Sequence, residues 1–557
     1  MENGEPPQQR ICVIGSGIAG LTTAFLLSRK GHDVTLLERE NEIGMDAHGV
    51  SGICGSSADT RIDVPLRVFS RTYYPNLVQL YRLLHLEIID ADYSFSCSGF
   101  TRGSNDGDEG GDDDDDCAKP DAPLFGYNRR GWFVFPQWSS LVPNFRAAVS
   151  NAHLLAQLVS LLFRAEGYVR SGDAEGTELG EFLRSRGFSE RFKAALFYPM
   201  LSVVCTCSYA SIDKYPATVA LEYFAKHGVF NWPWAKTCQC RVVGGVRKVA
   251  RTLCEPVARV RLGIDVLGVL TTNPGDKGGS GKPVVSYVVP EIDSRSSGPS
   301  SSPPAVAPRE VREAFDHVVI ATQAHQALNL LSAPHKRACG REFESFSSGS
   351  NTAVGDVAPI PCIEEYQRSL GGFKYERSRV VVHRDPRLMP TSRRQWSPLN
   401  ILVPGVSDPA STANASSMPM CSVWMTKIDA RVSSDVYQTW NPLLEPRGEI
   451  FADGEFERPV VSTASARCMK DLDKLQGKSG IHFVGAYALH AVPLLENGVH
   501  SAMRAAERID GKCRAPWASS ESGKARKDAR SWLILAGLAV VGGGGAACLI
   551  ARARARN

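Results

Sequence analysis

The chain of 557 residues is 43% hydrophobic and 22% charged, with 63 basic and 59 acidic side chains giving a formal net charge of +4. That balance excludes wholesale disorder and fibrous or collagen-like folds, and the length suffices for roughly two to four domains with sizeable cores. The charge is segregated, because eight of the eleven residues from Asp106 to Asp116 are acidic and seven basic residues follow Lys524 inclusive against Asp528 alone; a nucleic-acid interface, which needs a basic face on a folded domain, is not expected.

In chain order, residues 1–10 are polar and acidic and lack the apolar run of a signal peptide, so a reducing compartment is expected. Fifteen cysteines are too dilute in this length for a disulfide scaffold. Ile11–Ile14 form a short apolar strand, and Gly15-x-Gly17-x-x-Gly20 opens a helix directly after it. Gly15 serves the tight turn, Gly17 lets backbone approach a pyrophosphate, and Gly20 lets the helix pack on the strand. The phosphates then meet free N–H groups and the positive end of the helix dipole. A second strand, residues 33–37, ends in Glu38, eighteen residues past Gly20, where a carboxylate accepts hydrogen bonds from a ribose diol. Glu38 disfavours a 2′-phosphate, while FAD and NAD both remain possible on the fingerprint alone.

Residues 99–121 are Gly/Asp-rich and nearly devoid of apolar side chains, which predicts a solvated, disordered insert. Residues 125–235 carry helical periodicity and residues 241–270 turn extended. Cys205, Cys207, Cys238 and Cys240 form two close pairs whose one-residue spacing is not that of most zinc sites, and buried thiols are expected. A low-complexity stretch, 273–309, reads as a long loop between strands. Residues 315–322 and 481–487 have the continuous apolar character of strands buried on both faces, and 498–509 reads as a helix. His383 and Asp385 form either an acid/base pair or a structural pair; His325 and His500 lie near the presumed cofactor segments, with structural roles expected. Tyr223-Phe224 and Trp232-x-Trp234 are candidates to line an apolar tunnel or to fill a core. Trp532–Ala551 is a twenty-residue run without charge, flanked by Lys524, Arg526, Lys527 and Arg530 before it and Arg552, Arg554 and Arg556 after it. That is the length and flanking of a membrane-spanning helix.

Glu38-Arg39 followed by Gly44 resembles the flavin amine oxidases and phytoene-desaturase-like enzymes, although those families usually have two adjacent glycines where this chain has Gly44-Met45. The segments Ile62–Leu77, Tyr93–Ser96, Phe315–Thr322 with Ala327-Leu328, and Val380–Pro390 with Trp396 and Asn400 resemble one branch of them. That branch comprises amine-oxidase-like FAD-binding oxidoreductases also found fused to plant cyclopropane-fatty-acyl synthases. The resemblance implies FAD, with Gly15, Ser16, Gly17, Ala19, Gly20 and Glu38 on its ADP half and Arg39 and Gly44 in the same groove. It also implies Val266 beside the adenine, Pro65–Val68 including Arg67 near the flavin ring, and Gly485, Ala486, Glu496 and Val499 in a second cofactor motif.

The expected architecture is α/β. A Rossmann-type FAD-binding domain (10–98, 236–335 and 478–515) is joined to a mixed α+β substrate domain (122–235 and 336–477). A basic linker (516–530) and a C-terminal transmembrane helix (531–551) follow. The expected function is a membrane-anchored, single-pass FAD-dependent oxidoreductase with a cytosolic body. It transfers hydride from a small apolar (lipid or isoprenoid) or amine substrate to flavin, with no catalytic residue assigned and no metal. A non-catalytic FAD- or NAD-binding membrane protein is the alternative.

Overall fold

A computed structural model describes residues 7–53, 60–101, 119–127, 133–134, 145–227, 239–272, 281–289, 309–338, 357–361, 363–391, 393, 396–404 and 418–517. The transmembrane helix expected at 531–551, most of the basic linker, the centre of the acidic insert, Trp232, Trp234 and Cys238 lie outside these residues. Among the described residues no helix is long and apolar enough to cross a membrane.

The nucleotide-binding half is a five-stranded parallel sheet in the spatial order 259–261, 33–37, 10–14, 317–320, 481–483. These strands are almost continuously apolar because both faces are covered. One face carries a core that includes Cys12, Ile14, Leu37, Val318, Ile320 and Phe483. The other packs on the fingerprint helix Ile18–Ser28, which itself packs against Leu495–Ile509 and Gly245–Cys254. Strand order reverses at Arg10–Ile14, so the switch-point crevice opens at the carboxyl end of that strand, where the glycine turn lies.

A second, eight-stranded sheet runs 450–460, 374–383, 437–440, 420–424, 399–404, 95–101, 119–127, 133–134. It is antiparallel throughout except where Leu399–Pro404 lies parallel to Phe95–Thr101. A buried hydrogen-bond chain stitches its centre: His383 Nε2 to Thr439 Oγ1 (2.8 Å), Thr439 Oγ1 to Ser422 Oγ (2.8 Å), and Ser422 Oγ to the Leu388 carbonyl (2.8 Å). Asn400 adds Ser96 Oγ (2.9 Å) and the Ser397 carbonyl (2.7 Å). A four-stranded antiparallel sheet (309–314, 283–289, 265–272, 357–358) and the helices between residues 145 and 227 complete the body.

The described chain differs from the sequence expectation at two places. The insert expected over 99–121 is narrower, because Phe95–Thr101 pairs with Lys119–Tyr127 as far as Thr101 opposite Lys119. The loop expected over 273–309 contains a strand, Pro283–Val289, paired on both edges; its run of valines carried the β signal, and the surrounding Gly/Ser-rich sequence hid it. Residues up to Cys513 form one compact unit.

Candidate functional site

The fingerprint turn folds as its glycines require. Gly15 takes a left-handed φ of +99° while its N–H donates to the Leu37 carbonyl at 2.8 Å, tying the turn to the neighbouring strand. A Cβ on Gly20 would overlap the Gly15 carbonyl oxygen, so this glycine sets the close approach of helix to strand. A Cβ on Gly17 would meet nothing within 4 Å. Bare backbone at the helix N-terminus therefore faces open space, as close approach by a diphosphate requires.

That space belongs to a cavity of about 870 Å³, within the usual range for ligand sites. Its walls bring together Gly15, Ser16, Gly17, Ala19, Glu38, Arg39, Gly44, Arg67, Val266, Gly485 and Ala486. Glu38 is buried; its Oε2 accepts from the Ser16 N–H (2.8 Å) and Ser16 Oγ (2.6 Å), and its Oε1 accepts from the Glu40 N–H (3.0 Å). Ser16 Oγ accepts in turn from the Gly44 N–H at 2.6 Å. A Cβ on Gly44 would stand 2.9 Å from Glu38 Oε2 and 3.2 Å from Ser16 Oγ, which explains glycine there without a second glycine at Met45. The N-terminus of a second helix, Leu495–Ile509, also reaches the cavity through Pro493, Leu494, Leu495 and Gly498. The donor set fits a dinucleotide: two helix N-termini, a carboxylate for a ribose, and glycines where backbone must come close.

Three expected cofactor residues do not line the cavity. Gly20 acts through packing, and Val499 is fully buried in its helix. Glu496 caps another element: its carboxylate accepts from the Asn76 N–H (3.1 Å), Asn76 Nδ2 (2.7 Å) and the Leu77 N–H (3.0 Å) at the start of helix Pro75–Leu83.

The same cavity is also walled by Tyr74, Tyr93, Met200, Phe224, Ile401 and Trp440, a largely apolar chamber. Tyr223 also lines it, so the Tyr223-Phe224 pair takes the wall position considered for it. Arg67 enters on the segment after strand Arg61–Ile62, which Gln438 holds to the eight-stranded sheet. The Leu66 N–H donates to Gln438 Oε1 (2.7 Å), and Gln438 Nε2 donates to the Asp63 carbonyl (2.9 Å). Burial, and then the nearby charge of Arg458, lower the Arg67 guanidinium to about 10, opposed by Asp63; it stays charged at neutral pH. Arg458, also lowered by burial, projects from strand Ile450–Val460 with its guanidinium 6.0 Å from the Trp440 ring centroid. Burial lifts Asp63 to about 6, against the Val246 N–H donated to it and the charge of Arg67. Arg458 and Gln438 escaped the sequence reading. The one available signal for Arg458 was alternation, since it shares a strand face with Phe456.

The histidines lie outside the cavity wall. His383 is buried and held near 4 by desolvation, hence neutral, while Asp385 binds Arg387 and the Arg447 N–H rather than forming an acid/base pair with it. His325 Nε2 meets Glu457 Oε2 at 3.1 Å, and His500 is exposed. A hydrogen bond to Cys205, and then burial, keep the Cys207 thiol protonated.

The comparisons agree with this architecture. Residues 13–84 match the NAD(P)-binding Rossmann-like domain family. A stretch of 44 residues is 46% identical to D-amino acid dehydrogenase 2 of Pseudomonas aeruginosa, spanning 8% of this chain and 11% of that protein. Among solved structures, the fatty acid isomerase from P. acnes that produces CLA superposes with a TM-score of 0.51 and 11% identity, over 91% of this chain and 100% of that one. Putrescine oxidase bound to putrescine gives 0.52 and 11%, over 90% and 99%. The chain thus has the amine-oxidase-like fold that the motifs implied.

Proposed function

We propose that the protein is an FAD-dependent oxidoreductase acting on a small, largely apolar molecule, anchored to a membrane through residues 531–551. The observation that carries the reading is that one cavity is lined both by the glycine turn with Glu38 and by a set of aromatic and aliphatic side chains. FAD, when bound, supplies the hydride acceptor, so the protein need supply no nucleophile. The helix beginning at Ile18 and the bare backbone of Gly17 would hold the diphosphate, Glu38 the ribose, and Val266 with Ile264 the adenine. Arg67, Gly485 and Ala486 would border the ring. The chamber walls orient the substrate and exclude water, which preserves a reduced cofactor and strengthens every charge contact inside. The uncharged run Trp532–Ala551 with basic flanks supports the anchor. Proteins titled a fatty acid isomerase and a putrescine oxidase share this fold, so fold alone leaves the substrate head group open.

The test is an absorbance spectrum of the purified full chain, with chromatographic identification of the cofactor released on denaturation. Flavin bands bleached by dithionite, and FAD in the extract, are the expected result. A colourless protein that cannot be reconstituted with FAD overturns the reading in favour of a non-catalytic scaffold.

A further inference from the structure

We propose that the chamber binds an apolar substrate carrying a carboxylate, and that Arg67 and Arg458 receive that carboxylate. The proposal rests on the reading of the cavity given above and narrows its substrate class. Both guanidiniums line the same cavity, and the charge of Arg458 reaches Arg67. They come from different parts of the fold, one from the segment after Arg61–Ile62 and the other from the eight-stranded sheet. Among the described residues neither makes a side-chain hydrogen bond or ion pair within 4 Å. Two like charges facing one largely apolar cavity are costly unless an anion completes the set.

The acidic side chains of the cavity are already engaged or lie elsewhere. Glu457 pairs with Arg377 (3.1 Å) and His325 (3.1 Å); Asp92 accepts from the Ser94 N–H (3.1 Å) and Oγ (2.8 Å). Glu38 is held by Ser16 and the Glu40 N–H, and Asp265 is exposed beside Val266. Asp63, the nearest counter-charge to Arg67, is turned to the Val246 N–H at 3.1 Å. Arg67 and Arg458 thus face an apolar and aromatic wall with no ion-pair partner among the described residues, while Glu457 is paired outside and Asp92 is held by Ser94. A planar carboxylate matches guanidinium donors in geometry as well as sign. An ammonium head group would meet two cations, with Asp92 engaged by Ser94.

Three probes with one tail and different heads separate the possibilities: decanoate, 1-decanol and decylamine, titrated calorimetrically into the full-length protein in detergent. FAD content is measured on the same samples. Decanoate is expected to bind roughly tenfold or more tighter than decylamine, as charge-assisted hydrogen bonds predict. Arg458→Gln is expected to weaken decanoate by about the same factor and Arg458→Lys by less, with FAD content unchanged and 1-decanol affinity unmoved in both. The wild-type ranking of heads stands as a test even where a variant fails to fold. Decylamine binding as tightly as decanoate overturns the proposal, as does unaltered decanoate affinity in Arg458→Gln. Loss of FAD from that variant overturns it as well, since Arg458 would then serve the cofactor. Arginine-dependent decanoate binding by a protein without flavin leaves this subsite standing and removes the oxidoreductase reading. Flavin present with decylamine preferred does the reverse.

Discussion

Gly44 sits where two polar atoms converge, Glu38 Oε2 and Ser16 Oγ, and a single methyl group there has nowhere to go. Gly44→Ala would press on Glu38 Oε2 and Ser16 Oγ and turn the carboxylate out of the groove. We expect FAD affinity to fall by about tenfold or more, the scale of one charge-assisted hydrogen bond, with little change in the apoprotein's melting temperature. Fluorescence titration of the apoprotein with FAD checks it. Asp63 gives a test of a different kind. Its carboxyl titrates near 6 in the fold against 3.8 for the ordinary side chain, so the native state binds the proton more tightly than the unfolded chain. Stability from this group is fully present at acid pH and is lost as pH rises from about 4 through 6. Asp63→Asn should remove that slope, so that urea midpoints at pH 7 rise relative to wild type while those at pH 4 converge with it.

The cap on helix Pro75–Leu83 is the clearest case in which an element, rather than a ligand, claims a residue. Glu496→Ala leaves the Asn76 and Leu77 N–H groups without their acceptor, at a cost of roughly 1–3 kcal/mol. The expected signature is a lowered melting temperature with FAD content per folded protein unchanged; loss of FAD at constant stability would return Glu496 to the cofactor. The same contrast explains what the sequence revealed. The strand–turn–helix–strand unit with Glu38 was legible because its spacing is local and each glycine answers a steric demand. Gly485 and Ala486, from the second motif, reach the cavity wall. The cap made by Glu496 was not legible because the motif says nothing of what lies across the fold, here a helix more than 400 residues away in sequence. Arg458 and Gln438 were invisible since their meaning arises only when the eight-stranded sheet meets the segment after Arg61–Ile62. The motif residues His383, Ser96 and Asn400 proved to be sheet stitching, a role whose sequence signature is indistinguishable from that of a site.

At the scale of the molecule, two buried histidines make the fold sensitive to acid. Burial, then the neighbouring His317 charge, depress His482 to about 3, and burial depresses His383 to about 4. Both are neutral in the fold, whereas the unfolded chain takes up their protons below about 6.5. Stability should therefore fall as pH drops from about 6.5 toward 4, and His482→Gln should soften that fall in thermal scans across the range. The proposed anchor has its own check: chain ended at residue 530 should leave the membrane pellet under alkaline extraction, while full-length chain stays in it. Finally, the central parallel sheet pairs Arg10–Ile14 with His317–Ile320, a strand made about 300 residues later. At roughly 5–20 residues per second, Arg10–Ile14 waits about a quarter of a minute to a minute for its partner His317–Ile320. Throughout that interval Ile11, Val13 and their neighbours are a sticky edge on a nascent chain, so the yield of folded protein should rise with chaperone capacity.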